Sequence, residues 1–201
     1  VDWNGFRFYD LIFPTFLFIV GVVLPFSLSQ YTNLDDAQQS RTRAYVRIFR
    51  RTLLLLVFGW IYNGLLEFDL ADMRWPGVLQ RMGICYFFAA MAVMLFSVRG
   101  QVLLFAGLLG GYWAVLRFVP APGFAAFDLS QEGNLAGYID RLLLPGRFCC
   151  YKLGDNEGIL STFPAIATAI LGVLAGHWLR SERSPMAKTA GLAVAAVCCL
   201  A

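Results

Sequence analysis

The stretch RWPGVLQR, residues 74–81, decides the fold because it opens one of the long apolar runs of this chain. Its Pro-Gly pair places Arg74 before the start of a helix, whereas Gln80 and Arg81 fall at the entrance of a segment long enough to cross a bilayer. A charge at the edge of a membrane span is costly unless it is paired, hydrated or part of a functional site. This stretch therefore indicates a functional site at one rim of a membrane bundle.

Composition places the chain among membrane proteins. Of its 201 residues, 59% are hydrophobic and 14% are charged, whereas soluble domains carry about 25% charged and about 45–50% apolar residues. The mean hydropathy is +0.64, and the apolar residues fall in long blocks. Because lipid leaves no hydrogen-bond partners for open strand edges, the predicted fold class is all-α, a polytopic membrane helix bundle.

Five complete spans and a truncated sixth are predicted, at residues 11–29, 52–66, 78–98, 102–119, 159–179 and 189–201. The second of these is expected to extend further at both ends. The last run is shorter than the roughly 20 residues that a membrane span needs. No start methionine or targeting segment precedes the first span. We therefore expect residues 1–201 to be one transmembrane domain, truncated at both ends. Residues 120–158 form a long loop, in which residues 135–144 have the spacing of a short amphipathic helix.

Charge asymmetry predicts how the bundle is oriented. Three loops hold nine Lys or Arg against three acids, at residues 30–51, 99–101 and 180–188. The other face holds seven cations and ten acids. By the positive-inside rule the basic loops are cytoplasmic. The segments that then face outward are residues 1–10, 67–77 and 120–158.

Two groups of polar side chains lie at the outward ends of the first and third spans. Asp10 is either an acid favoured by the helix macrodipole or a carboxylate that orients a neighbouring base. Arg81, about one turn into its span, is either a snorkelling cation or a group held by a buried acid or an anionic ligand. Gln80 adds a hydrogen-bonding amide at the same level.

Other polar groups have two interpretations as well. Glu157 and Ser161 open the fifth span, where acids and hydroxyls satisfy orphan backbone donors or belong to a site. Asn63, near the outer end of the second span, needs a partner. The arginines of residues 41–51 form a membrane-surface helix or attract a polyanionic nucleotide cofactor. With one histidine and no Cys-x-x-Cys, no metal site is predicted.

Several motifs together resemble the heparan-α-glucosaminide N-acetyltransferase family and its bacterial relatives. They occur in the same order along nearly the whole chain: WNG at 3–5, DLIFPTFLFIVG at 10–21, RRTLLL at 50–55, RWPGVLQR at 74–81, GYIDRLLL at 137–144 and EGILST at 157–162. Asn156, in place of a proline, and the Cys149-Cys150 pair depart from the family pattern in the outward loop.

This resemblance implies a transmembrane acetyltransferase that moves acetyl from cytosolic acetyl-CoA to the amine of an amino sugar on the periplasmic or luminal side. It implies a catalytic histidine immediately before Val1, acting as a transient acyl carrier or as a base. Asp10 would be the carboxylate that partners this histidine. The remaining residues implied to line the site or hold the cofactor are Trp3, Asn4, Asn63, Arg74, Gln80, Arg81, Glu157 and Ser161.

The absence of glycosylation sequons favours a bacterial inner-membrane protein with a periplasmic amino-sugar acceptor. The expected partners are membrane lipid and this acceptor, with no nucleic acid, and self-association is left open. The alternative function is an amino-sugar transporter or permease without acyl transfer. It predicts sugar accumulation in vesicles that needs no acetyl-CoA.

Overall fold

A computed structural model describes residues 7–32, 37–149 and 153–200 of the chain. These residues form seven α-helices, which confirms the all-α prediction: α1 Ile12–Thr32, α2 Ala37–Tyr62, α3 Val78–Leu95, α4 Val98–Phe118, α5 Leu135–Leu143, α6 Ile159–Arg180 and α7 Pro185–Leu200. Short 3-10 helices precede α1 and follow α2, at Phe8–Leu11 and Leu65–Glu67.

Four helical segments of the described chain are long and apolar enough to cross a membrane: Phe8–Ser29, Val78–Leu95, Val98–Phe118 and Ile159–Arg180. A shorter apolar helix, Pro185–Val197, corresponds to the predicted truncated span. The chain is therefore a polytopic helical membrane protein, as its composition predicted.

The second predicted span differs from the observed helix. A complete span was expected at residues 52–66, extended at both ends. The helix α2 does begin earlier, at Ala37, but it ends at Tyr62 and carries five arginines at residues 41–51. Its apolar part is consequently short, and α2 is not among the four apolar spans. The helix ends early because Gly64 takes a left-handed conformation with φ of 105°, which glycine adopts without steric cost.

The turn between the third and fourth spans is also shorter than predicted. Residues 99–101 were expected to form a loop, yet they belong to the first turn of α4. Ser97 caps this helix, because its side-chain oxygen accepts a hydrogen bond from the Gly100 amide at 3.4 Å. Arg99 therefore lies on a helix at the predicted cytoplasmic rim.

α1 and α6 form the closely packed centre of the bundle. A Cβ atom at Gly21 would overlap the Ala169 carbonyl, and one at Gly172 would overlap the Phe18 carbonyl. Only glycine allows the two backbones to approach so closely. α3 and α4 also pack against α6, so α6 positions both of the other spans that enter the site.

Candidate active site

The candidate active site lies where the loop before α3 meets the N-terminal end of α6. Arg74 comes from that loop and Arg81 from the first turn of α3. Asp155 and Glu157 come from the segment just before α6. The two regions are about 80 residues apart in the chain, and their opposite charges bring them together.

Arg74 holds the Asp155 carboxylate through two hydrogen bonds. Its Nε atom donates to Oδ2 at 2.9 Å and its Nη2 atom to Oδ1 at 2.6 Å, the bidentate geometry that makes such pairs strong. The Asp155 side chain is fully buried, with 0% of its surface exposed. Two backbone amides also donate to it, Cys149 at 2.8 Å and Glu157 at 2.9 Å. Asp155 is therefore the anchor of the segment between α5 and α6.

The ionisation of this pair follows from its contacts. Burial alone would raise the pKa of the Asp155 carboxyl, but Arg74 and the two backbone amides hold that pKa below its ordinary value. Burial would likewise lower the pKa of Arg74, and the neighbouring Asp155 and Glu157 charges raise it instead. Both groups therefore remain charged at neutral pH.

Glu157 is the second carboxylate on the same guanidinium. Arg74 Nη2 donates to its Oε2 atom, and 14% of the Glu157 side chain is exposed. Burial raises the pKa of the Glu157 carboxyl, and the nearby Asp155 carboxylate raises it further, in spite of the Arg74 charge. The two acids therefore differ in proton affinity although they share one cation.

Arg81 connects α3 to the start of α6. It is buried, with 8% of its surface exposed. Its Nη2 atom donates to Ser161 Oγ and to the Gly158 carbonyl oxygen, the latter at 3.3 Å. The Phe13 ring of α1 lies 5.8 Å from its guanidinium carbon. Its Nε atom has no hydrogen-bond partner among the described residues.

Gln80 has a similar unsatisfied donor. The residue is 5% exposed, and its Nε2 atom lacks a partner in the part of the chain that the structure describes. A buried donor without a partner costs free energy, so natural structures keep few of them. Two such donors on consecutive residues are available to a ligand or a water molecule that enters this end of the bundle.

Asn63 fixes the loop that carries Arg74. Its Nδ2 atom donates to the carbonyl oxygens of Arg74 at 2.8 Å and of Pro76 at 2.9 Å. The amide thus uses both of its hydrogens to tie the end of α2 to the approach to α3. Asn63 therefore has the hydrogen-bond partners that its position required. These partners are main-chain carbonyl oxygens of the loop that carries Arg74.

A cavity of about 790 Å³ begins at this cluster and follows α3 inward. Gln80, Arg81 and Glu157 line one end, and Leu95 and Phe96 line the other. The 14 residues from Arg81 to Leu95 correspond to about 21 Å of helix. Apart from its outward end the cavity is lined mainly by apolar side chains of α3, α4 and α6, so it suits an extended and largely uncharged group.

A smaller cavity of about 200 Å³ lies on the other side of Gln80. Its polar lining comes from Tyr62, Asn63, Arg74 and Gln80. Gln80 is thus shared by the two cavities, and the Arg74 guanidinium stands beside both acids and this smaller space.

Comparison with known proteins identifies two relatives of this chain. The human heparan-alpha-glucosaminide N-acetyltransferase is 34% identical over 229 aligned positions, which cover 89% of this chain and 34% of the human protein. The mouse heparan-alpha-glucosaminide N-acetyltransferase is 32% identical over 228 positions, with the same coverage. Both matches agree with the family resemblance that the sequence motifs carry. No protein-family model matches it, and the chain spans about a third of the length of the relatives it matches.

These two matches confirm the resemblance that the motifs carried. The placement of the individual site residues rests on the geometry. Of the predicted set, the structure brings Asn63, Arg74, Gln80, Arg81, Glu157 and Ser161 to one end of the bundle. Trp3 and Asn4 lie outside the described residues.

Asp10 is less integrated than the other predicted residues. It is exposed, and its Oδ2 atom accepts a hydrogen bond from the Arg7 amide at 2.8 Å, which caps the short helix before α1. No ion pair joins Asp10 to Arg81 within the described chain. Phe13, about one turn further along, contacts Arg81, so Asp10 belongs to the same rim. Its pairing with a preceding histidine stays a prediction.

Asp140 is a residue of the site that the sequence did not single out. It lies on α5 and is 1% exposed. Its Oδ1 atom accepts from the Ile159 amide at 2.9 Å, and its Oδ2 atom from the Asp155 amide at 3.3 Å. A Cβ atom at Gly158 would overlap this carboxylate. Asp140 therefore caps α6 from a neighbouring helix and holds the acids in place.

The segment between α5 and α6 carries one further constraint. Cys149, whose amide donates to Asp155, is disulfide-bonded. Its neighbour Cys150 lies outside the described residues. Within the described residues, no three His, Cys, Asp or Glu side chains converge as a metal-binding group.

Proposed function

We propose that the protein is a transmembrane acetyltransferase that transfers acetyl from cytosolic acetyl-CoA to the amine of an amino sugar on the outward side. Two curated relatives are named heparan-alpha-glucosaminide N-acetyltransferase, and an amino-sugar acceptor is the class that this name supports. The proposed location is the bacterial inner membrane, with the Arg74 cluster on the periplasmic face.

The observation that carries the proposal is the pair of unsatisfied donors at the outward end of the large cavity. Gln80 Nε2 and Arg81 Nε are buried and unpartnered among the described residues, and both residues line the cavity. Acyl transfer places negative charge on a carbonyl oxygen in the transition state, and preorganised N–H donors stabilise that charge. We assign the two donors to this oxygen.

The donor substrate fits the shape of the cavity. The apolar walls along α3 suit the methylene and methyl groups of a pantetheine arm, and the polar groups gather at the end where the thioester would lie. At the opposite end of the bundle, a cavity of about 500 Å³ is lined by Arg43, Arg47, Arg50 and Arg51 of α2. This basic face would attract the phosphates of a nucleotide from the cytoplasm.

The chemistry is transfer of an acyl group from sulfur to nitrogen. The amine nitrogen attacks the thioester carbonyl carbon, the C–N bond forms and the C–S bond breaks, so that a thiol leaves. Following the family resemblance, a histidine preceding Val1 carries the acyl group transiently or activates the amine, and Asp10 orients it. The Arg74 network holds the N-terminal end of α6 at the reaction pocket.

Two variants, Gln80→Leu and its control Gln101→Leu, test the proposal in the full-length protein. The protein is reconstituted in proteoliposomes, with labelled acetyl-CoA on one side and glucosamine on the other, and N-acetylglucosamine is measured. Gln80→Leu should lower kcat by about 10²–10³-fold without lowering the unfolding temperature, because it removes an unsatisfied donor.

Gln101→Leu is the matched control. Gln101 is equally buried, at the predicted cytoplasmic end of the bundle, and its Nε2 donates to the Phe96 carbonyl oxygen at 3.1 Å. This variant should lose stability but keep its turnover in the folded fraction. If Gln80→Leu transfers acetyl as fast as the unaltered protein, the assignment is wrong. If the unaltered protein accumulates glucosamine without acetylating it, the protein is a transporter.

A further inference from the structure

We propose that Glu157 is the base that takes the proton from the acceptor amine. This role rests on the proposed acetyl transfer, because only an attacking amine has to lose a proton in this pocket. An amino sugar carries its amine largely as an ammonium ion at neutral pH, and an ammonium nitrogen has no lone pair with which to attack. A proton acceptor at the reaction pocket is therefore a chemical requirement.

The cavity contains a carboxylate in a suitable place. Glu157 lines the outward end of the large cavity together with Gln80 and Arg81. The donors assigned to the carbonyl oxygen and this carboxylate therefore face the same space. Asp155, by contrast, is not part of the cavity lining, and its side chain is fully buried.

The two carboxylates also differ in how fully their oxygen atoms are bonded. Asp155 accepts four hydrogen bonds, two from Arg74 and one each from the Cys149 and Glu157 amides. The Glu157 carboxylate accepts one donor among the described residues, Arg74 Nη2. The Asp155 carboxylate is thus fully engaged in hydrogen bonds that hold the fold, whereas the Glu157 carboxylate accepts fewer hydrogen bonds and can take up a proton.

The proton affinities of the two acids support this division. Burial and the adjacent Asp155 charge raise the pKa of Glu157, whereas Arg74 and the backbone amides keep the pKa of Asp155 low in spite of its burial. Neighbouring carboxyl groups whose pKa values are pushed apart commonly take separate acid–base roles. Arg74 would keep Glu157 in position without removing its basicity.

The proposed step balances as follows. The acceptor ammonium gives one proton to the Glu157 carboxylate, and the freed lone pair attacks the acyl carbonyl carbon. The C–N bond forms, the bond from the acyl carbon to its carrier breaks, and the leaving group takes the second amine proton. Glu157 then releases its proton to water and is ready for another turnover.

Two acceptors that differ in charge test the inference in the full-length protein. Glucosamine needs deprotonation, whereas methoxyamine is already uncharged at neutral pH. Glu157→Gln should lower the rate with glucosamine at neutral pH by about 10²–10⁴-fold, and this deficit should shrink as the pH rises and more of the amine is uncharged. Acetylation of methoxyamine should stay within a few-fold of the unaltered protein, which also shows that the variant is folded.

Glu67→Gln is the matched control, because Glu67 is an exposed glutamate at the same rim, and it should change neither rate. Glu157→Asp should recover part of the glucosamine activity. Equal losses with both acceptors, or full glucosamine activity in Glu157→Gln, would overturn the role of Glu157 and leave the acetyltransferase proposal intact. If the unaltered protein acetylates neither amine, the proposed function itself fails.

Discussion

The two ends of the bundle both carry arginines but use them differently. At the predicted outward end Arg74 and Arg81 are enclosed and engaged with Asp155, Glu157 and Ser161. At the predicted cytoplasmic end the arginines of α2 are exposed, and no carboxylate pairs with them among the described residues. Enclosed charge fixes a geometry suited to chemistry, whereas exposed charge orients the protein and attracts anions.

The largest effect is expected from breaking the enclosed network. Asp155→Asn leaves the Arg74 guanidinium without its bidentate partner, so the free energy of unfolding should fall by about 3 kcal/mol and acetyl transfer should be lost. Thermal unfolding in detergent and the transfer assay measure the two effects.

The exposed ion pair of the same face supplies the control. Arg147 and Asp72 approach to 3.7 Å, and both side chains are more than half exposed. Asp72→Asn should therefore cost at most about 1 kcal/mol. Equal losses in Asp155→Asn and Asp72→Asn would mean that enclosure does not set the strength of the outward network.

The stability lost in Asp155→Asn should depend on pH. The pKa of Asp155 is lowered in the folded protein, so its contribution is fully present above its unfolded pKa and disappears as the pH falls through the folded value. The difference in unfolding temperature between the two proteins should thus be largest near neutral pH and shrink in acid. A difference that grows in acid would contradict the ion-pair account.

Asp140→Ala should have an intermediate effect. It removes both acceptors that cap α6, which costs about 2 kcal/mol or less. The displaced end of α6 carries Glu157 and Ser161, so kcat should fall by up to about 10²-fold, with little change in the KM for acetyl-CoA. Steady-state kinetics separate the two constants. A change confined to the KM for acetyl-CoA would show that Asp140 positions something other than the reacting groups.

The smallest effect is expected at the exposed basic face. The double variant Arg47→Gln, Arg50→Gln should raise the KM for acetyl-CoA by about two- to fivefold per charge, because exposed pairs contribute about 1 kcal/mol or less. The difference in KM between the variant and the unaltered protein should decrease at high salt, and the free energy of unfolding should not change. Arg183→Gln, on another of the predicted cytoplasmic loops, is the control and should leave this KM unaltered.

Local signals predicted much of the fold. Pro76 and Gly77 placed the start of α3 correctly at Val78, and residues 135–144 were correctly predicted as a short helix, observed at Leu135–Leu143. These features depend on neighbouring residues only, because turn-forming residues and apolar spacing act within a few positions of the chain. The early end of α2 escaped prediction although Asn63-Gly64 is a turn-favouring pair, because Leu65 and Leu66 resume the apolar run directly after it.

Long-range arrangement could not be predicted from spacing. Gly107 and Gly111 have the same spacing as Gly172 and Gly176, yet nothing lies within 4 Å of a Cβ atom built on either of the first two. The second pair meets α1 closely. The sequence specifies a face of small residues but not whether another helix covers that face.

The residues of the candidate site also divide into those that local sequence signals indicate and those that depend on long-range packing. Arg74, Gln80 and Arg81 could be found because polar groups at the start of an apolar run are conspicuous. Asp140 could not, because an acid on an amphipathic helix is usually exposed, and its burial depends on where α6 begins. The cavity depends on the relative positions of α3, α4 and α6, which no local pattern records.

The most direct measurement asks whether acetyl travels along the cavity to the outward donors. Met91 lines the middle of the cavity, whereas Leu103 of α4 is exposed on the bundle surface. In proteoliposomes with acetyl-CoA on the predicted cytoplasmic side, Met91→Trp should block acetylation of glucosamine on the other side, and Leu103→Trp should not. Undiminished transfer by a folded Met91→Trp protein would contradict the proposed route from one end of the bundle to the other.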